Sequence, residues 1–350
     1  MASLASLRTV MWSTVLVTLF IFGIFMLVVS ALFSVAAEAN LSLSSTLLAA
    51  TVLAVIFMLI QLAISPTIIA ASTRLHYIQP GEFPWLEKTI ESLSEKSGVR
   101  KPKIAISPDN NPNAFVFGNS SSNMTLAVNE GLLNRLSKDE VIGVIGHELG
   151  HIKHKDAIVM TLMSAVPLIA YMIARTTLAL RWEGDRKKGG AGYIALAGVV
   201  ALVVYFIAQL LVLKLSRLRE HFSDAYSAYL TGSPRSLESA LTKIAFGISL
   251  NPTEPHGARA LFISDPALAK SEINSILENK SEYDLDRDGV LDEKELELAM
   301  DKEASSYWRS LNTAFSTHPP TFKRIMLLRQ IGQEMASGSF SEQRSYALIR

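Results

Sequence analysis

Charge is missing from two long stretches near the start of the chain: none falls between Arg8 and Glu38, and none between Glu38 and Arg74. Residues 9–37 and roughly 45–71 each exceed the ~20 apolar residues that cross a bilayer as a helix, and so predict an N-terminal transmembrane hairpin. The first run sits where a secretory signal would, but it is far longer than a signal core of ~7 to 15 residues and a second span follows closely, so it reads as retained. The connection 38–44 has no Lys or Arg, while Arg74 and many later basic residues flank the other side. Basic loops stay cytoplasmic, which places both termini and the bulk of the chain inside. Two further apolar segments, 157–173 and 193–213, predict a second hydrophobic pair. The loop between them carries Arg181, Arg186, Lys187 and Lys188, the wrong charge for a translocated loop. Either this pair inserts shallowly or its neighbours override the bias.

Between the two pairs the pattern changes. Residues 78–156 read as a soluble α/β unit: a helix around 85–97, strands at 103–107, 114–118 and 124–129, and a turn at 108–112. Ser137 and Glu140 form a Ser-x-x-Glu capping box that opens another helix. From 215 onward the pattern is mostly helical, and no internal repeat is evident.

Composition narrows the class. Hydrophobic residues make up 49% of the 350 positions and charged ones only 19%, with a mean hydropathy of +0.28, which is membrane-protein material. A formal net charge of +1 supplies no global basic field, so nucleic acid is not an expected partner. Without cysteine, disulfides and thiolate metal sites are excluded, and any metal must be held by imidazole and carboxylate.

Such a set lies in the capped helix. His147 and His151 are four residues apart and project from one helical face, able to place two imidazole nitrogens on one ion. Glu148 points beside them, placed to deprotonate water activated by the metal and to hand the proton to the leaving amine. A chance His-Glu-x-x-His arises in roughly 1% of sequences with this composition, before helical context is required. The bland alternative is a helix that merely happens to carry two histidines. A catalytic zinc needs a third protein ligand. His154 is too far from His147 along one straight helix to share an ion with both. Glu220 would complete a His, His, Glu set, and Asp224, four residues on, would accept the N–H of a ligand imidazole. Alone this segment is weak, because an Arg- and Glu-rich stretch is more often a solvated, salt-bridged face.

The order Asn113-Ala114-Phe115 with Gly118, His147-Glu148 with Gly150-His151, Ser216-Arg217 with Arg219-Glu220 and Asp224-Ala225, and Thr317-His318-Pro319-Pro320 with Arg324-Ile325 resembles the HtpX family. These are membrane-bound zinc endopeptidases related to the type 1 CAAX prenyl proteases, and the resemblance covers nearly the whole chain. It implies a gluzincin core with Glu220 as third zinc ligand, and a role in degrading misfolded or damaged membrane proteins. It also implies that Asn113, Ala114 and Phe115 lie along an edge strand that holds extended substrate by strand addition. His318 resembles the family's histidine near the cleft, a donor for the oxyanion of the tetrahedral intermediate, with Arg324 as a nearby supporting charge. A His-Pro pair before a helix is also often simply a turn with a pre-set backbone.

One insert departs from that family. Residues 284–295 place Asp284, Asp286, Asp288, Val290, Asp292 and Glu295 at positions 1, 3, 5, 7, 9 and 12 of an EF-hand calcium loop, with Gly289 at the sharp turn. Such a match arises by chance in roughly one sequence in several thousand of this composition. Lys280 interrupts the preceding helix pattern, and no second hand is present to pair with it, so a solvated acidic loop is the competing reading.

The expected fold is thus a mainly α membrane protein, with transmembrane helices joined to a gluzincin α+β catalytic domain that has a small antiparallel edge-strand sheet. The expected divisions are a hairpin at 1–73, the first part of the peptidase domain at 74–156 and the second hydrophobic pair at 157–213. The third-ligand part follows at 214–264, the calcium-loop insert at 265–310 and the C-terminal part of the peptidase domain at 311–350. The expected enzyme is a zinc metalloendopeptidase of the cell membrane, multi-pass, with its catalytic domain cytoplasmic. It would hold one Zn2+ and additionally Ca2+, with membrane proteins or peptides and the lipid bilayer as partners. Two alternatives stay open: a prenyl-protein endoprotease, and a catalytically silent membrane calcium sensor.

Overall fold

A helix satisfies its own backbone hydrogen bonds, so long apolar runs destined for lipid fold as helices. In the computed structural model the runs expected at roughly 45–71, 157–173 and 193–213 do. It describes residues 43–183, 191–250, 316–338 and 341–347, with isolated residues elsewhere. Helix α1 spans Leu43–Ser72. Strand β1 (His76–Tyr77), helix α2 (Pro84–Ser97) and strands β2 (Lys103–Ser107), β3 (Ala114–Gly118) and β4 (Met124–Asn129) follow. Then come α3 (Glu130–Arg135), α4 (Lys138–Lys153), α5 (Asp156–Glu183), α6 (Ala191–Thr231), α7 (Pro234–Leu250), α8 (Thr321–Ala336) and α9 (Glu342–Ala347). The run expected at 9–37, the basic loop around 186–188 and the calcium-loop positions Asp284, Asp286, Asp288, Val290, Asp292 and Glu295 lie outside the described residues.

The chain divides into two compact units. One gathers Arg8–Ser65 with Ile158–Leu215, the other chiefly Pro66–Ala157 with Ser216–Arg350. In the first, Ala170, Ala174 and Ala201 pack α5 against α6 through small side chains, a device that lets helices approach where lipid supplies no hydrophobic drive. Two described helices are long and apolar enough to cross a membrane, over Asp156–Arg175 and Ala195–Thr231. Val199, Val203, Phe206 and Leu210 of α6 and Ile56, Ile60 and Ile64 of α1 point outward, an apolar face that suits lipid and not water.

The second unit is built around a four-stranded sheet in the order β1-β2-β4-β3. Both edge strands run antiparallel to their neighbours, while the central pair β2 and β4 is parallel. The sheet is therefore mixed, because the chain leaves β2, returns along the edge as β3 and re-enters between them as β4. Strand β1 was not foreseen; its two exposed residues are too few to show alternation. One sheet face and α2, α4, α7 and α8 share a core that includes Leu86, Ile90, Leu126, Ile145, Leu149, Leu237, Leu241 and Leu328. The other face carries Phe115 and Phe117 against Ile69 and Leu75.

Helix α4 begins at the expected capping box: the Glu140 N–H donates to Ser137 Oγ at 3.4 Å and the Ser137 N–H to Glu140 Oε2 at 2.7 Å. It runs against α6, and two glycines make that approach possible. A Cβ on Gly146 would stand 2.9 Å from Ser227 Oγ and from Thr231 Cγ2, and one on Gly150 would stand 3.0 Å from Ser223 Cα. Helix α6 itself corrects an expectation. The apolar segment and Glu220, read from sequence as separate helices, belong to one continuous helix of 41 residues, because nothing between Leu213 and Ser216 breaks the helical pattern.

The glycine contact is testable. Gly146→Ala should destabilise the fold by ~1 to 3 kcal/mol through overpacking and reduce bound zinc by displacing the helix that carries Glu220. Thermal unfolding and metal content of the purified variant check both.

Candidate metal centre

The three candidate donors converge. His147 and His151 come from successive turns of α4, their rings 4.6 Å apart and nearly perpendicular. Glu220 reaches them from α6. His147 Nε2 lies 3.0 Å from His151 Nε2 and 3.6 Å from Glu220 Oε2, and His151 Nε2 lies 3.4 Å from Glu220 Oε1. Nitrogen and oxygen ligands placed tetrahedrally at ~2.0 to 2.1 Å from zinc stand about 3.3 Å apart, so the spacing fits the ion. Glu220 Oε2 is buried and accepts no hydrogen bond among the described residues, although His318 Nδ1 stands 3.2 Å and Arg324 Nη1 3.4 Å away. Arg324 offsets part of the carboxylate charge, and an oxygen with lone pairs left over beside two imidazole nitrogens suits a metal ion.

Each imidazole is held from behind. His147 Nδ1 lies 2.9 Å from Asp224 Oδ1, as the four-residue spacing from Glu220 suggested. Asp224 is itself gripped by both arms of Arg324, with Nε to Oδ2 at 2.8 Å and Nη2 to Oδ1 at 2.7 Å. Arg324 also donates to the carbonyl of Ile263, whose N–H donates to Asn113 Oδ1 at 2.9 Å. His151 Nδ1 lies 2.7 Å from Asp156 Oδ2. Asp156 in turn pairs with Arg219, which also donates to the His154 carbonyl at 2.7 Å. His154 is not a ligand: it ends α4, its Nε2 2.9 Å from the Tyr346 hydroxyl.

Burial and neighbours set the protonation of the metal-free site. Burial would lower the His147 pKa, but the carboxylates of Asp224 and Glu220 overcome it and raise it to about 9. Burial takes His151 well below its ordinary value, leaving a neutral ring. Glu148 is pushed up to about 8, chiefly by burial and then by the charge of Glu220.

Of the other residues singled out by sequence, Glu148 is buried next to the donors and the Val116 backbone N–H bonds its carboxyl. Strand β3 is a sheet edge, as expected for Ala114. The Asn129 N–H donates to the Asn113 carbonyl at 2.9 Å, so by antiparallel alternation Phe115 faces Ala127 in the ladder, and Ala114 and Val116 turn their backbone groups outward. Val116, Asp156, Arg219 and Ser223 were missed. The signal for Asp156 was faint, a carboxylate five positions after His151 at the border of an apolar run. Arg219 looked like part of a solvated face and is instead 3% exposed.

Comparison with known proteins identifies the family. The profile of peptidase family M48 matches residues 80–332. The chain is 32% identical over 288 residues to a protease HtpX homolog of Aeropyrum pernix, spanning 81% of this chain and 86% of that relative. It is 40% identical over 190 residues to a protease HtpX homolog of Methanothermobacter thermautotrophicus, spanning 54% of this chain and 70% of the relative. Among solved structures, Ste24p from S. mikatae aligns with a TM-score of 0.46 and 16% identity over 90% of this chain, which spans only 65% of that longer one. The chain belongs to peptidase family M48 and is a metallopeptidase, with His147, His151 and Glu220 forming its potential metal site.

Proposed function

We propose that the protein is a membrane-integral zinc endopeptidase that cuts misfolded or damaged membrane proteins, its catalytic unit on the cytoplasmic side. The observation that carries the chemistry is the convergence of His147 Nε2, His151 Nε2 and a Glu220 oxygen at 3.0 to 3.6 Å with Glu148 buried beside them. His147, His151 and Glu220 would hold zinc, which would supply Lewis acidity and lower the pKa of a nearby water toward neutrality. Glu148 then takes the proton from the attacking water and delivers it to the leaving amine. His318, 4% exposed and with neither ring nitrogen hydrogen-bonded among the described residues, is suited to donate to the oxyanion. Arg324 keeps Asp224 and Glu220 in place.

Substrate binds as an added strand along Asn113, Ala114 and Phe115, at the start of the edge strand β3. The register favours the backbone N–H and C=O of Ala114 and the C=O of Val116 as the groups offered to substrate, with Phe115 as a supporting side chain beneath them. Main-chain pairing reads no particular sequence, which suits broad cutting of unfolded segments. The cytoplasmic orientation rests on the basic flanks of the apolar runs. The loop 284–295 binds Ca2+ through the oxygens of Asp284, Asp286, Asp288, Val290, Asp292 and Glu295, a reading supported by the sequence motif.

Glu148→Gln should abolish casein cleavage, by ~10² to 10⁴-fold or more, with zinc content unchanged. Absence of cleavage in both wild type and variant would instead favour a silent sensor. Zinc affinity of the metal-free protein should depend on pH. His147, with its pKa raised to about 9, holds a proton at neutral pH that favours the metal-free fold and that zinc must displace. Affinity should therefore climb by up to ~10-fold per pH unit from neutrality and level off above about 9, as read by zinc titration. Chelating calcium alone should lower the melting temperature; if neither melting nor cleavage rate responds, the loop has no calcium-dependent role.

A further inference from the structure

Both candidate imidazole donors must present Nε2 as a lone pair, so each must keep its ring proton on Nδ1. For His147 the task falls to Asp224. For His151 two groups compete at the same nitrogen: Asp156 Oδ2 at 2.7 Å, and Ser223 Oγ at 3.0 Å. The two have opposite consequences. A carboxylate can only accept, and so stabilises the Nδ1–H tautomer; a hydroxyl can also donate, which would stabilise the tautomer with its proton on Nε2, where the metal belongs. Both groups are shielded from water: Asp156 is 6% exposed and Ser223 fully buried.

We infer that Asp156 is the positioning residue of the second metal-ligand histidine, its charge selecting the His151 tautomer against the Ser223 hydroxyl, with Arg219 as the clamp that aims it. Asp156 is the first residue of α5, one residue after Lys155, whose φ of 59° puts a non-glycine residue in the left-handed region at the corner between α4 and α5. That turn is what swings the carboxylate back onto His151. Arg219 holds the corner from α6, bonding the His154 carbonyl on one side and the Asp156 carboxylate on the other. Lys155 and the two flanking residues thus form a short backbone loop with its geometry pinned at both ends. Asp156 acts through His151.

The inference rests on the reading of His147, His151 and Glu220 as metal donors, and the test separates the two. In the full chain in detergent micelles, zinc affinity is measured by competition with a chromophoric chelator, and the cobalt(II)-loaded protein is read by its visible spectrum. Asp156→Asn, of the same shape without the charge, should weaken zinc ~10 to 100-fold and alter the cobalt bands, with kcat falling and KM unchanged. Adding Ser223→Ala should restore part of that affinity, because the competing donor is gone. Tyr346→Phe, which removes the His154 contact at the same corner, should leave zinc affinity at the wild-type level. Wild-type zinc affinity and cobalt bands in Asp156→Asn, or an equal loss in Tyr346→Phe, would overturn the inference while leaving the metal site intact. A failure of the wild-type protein to bind zinc would overturn both.

Discussion

The close approach of α4 and α6 is the constraint on which the site depends. An ion of fixed bond length tolerates no slack between its donors, and two of the three sit on one helix and the third on the other. Side chains larger than hydrogen at Gly146 or Gly150 would meet Ser227, Thr231 or Ser223 at or inside normal contact distance. The backbones therefore close on one another, and Glu220 comes within 3.4 to 3.6 Å of both imidazoles.

Closeness creates an electrostatic problem that a second layer of residues solves. Glu148, Glu220, Asp224 and Asp156 are all 6% exposed or less, and buried carboxylates without partners are expensive. Two arginines answer them. Arg324, 1% exposed, forks onto Asp224 and lies against Glu220, while Arg219 takes Asp156. Each pairing also orients an imidazole, so the groups that make the burial tolerable are the same ones that point the ring nitrogens at a common centre. The Ile263 link from Arg324 to Asn113 extends this layer to the start of the edge strand.

The sheet contributes the other half of the arrangement. Its edge strand β3 carries Phe115 and Phe117 into one apolar layer while the Val116 N–H meets Glu148. Because side chains and backbone groups alternate with a period of two, one strand can both anchor itself and offer a row of donors and acceptors beside the site.

What the sequence determined by itself was everything set by near neighbours along the chain. Apolar length announced the two described helices long enough to cross a membrane, Ser137 and Glu140 announced the start of α4, and the four-residue spacing of His147 and His151 placed them on one face, since helical geometry follows from local repetition. The strands at 103–107, 114–118 and 124–129 were legible for the same reason. Only the tertiary structure decided that Glu220 continues an apolar helix instead of opening a new one, that β4 inserts parallel to β2, and that Asp156 and Arg219 close on His151. Those outcomes depend on which surfaces pack together across 60 or more positions, as with Asp156 and Arg219 at a separation of 63. No local periodicity encodes such a meeting; close packing and the need to pair buried charge select it.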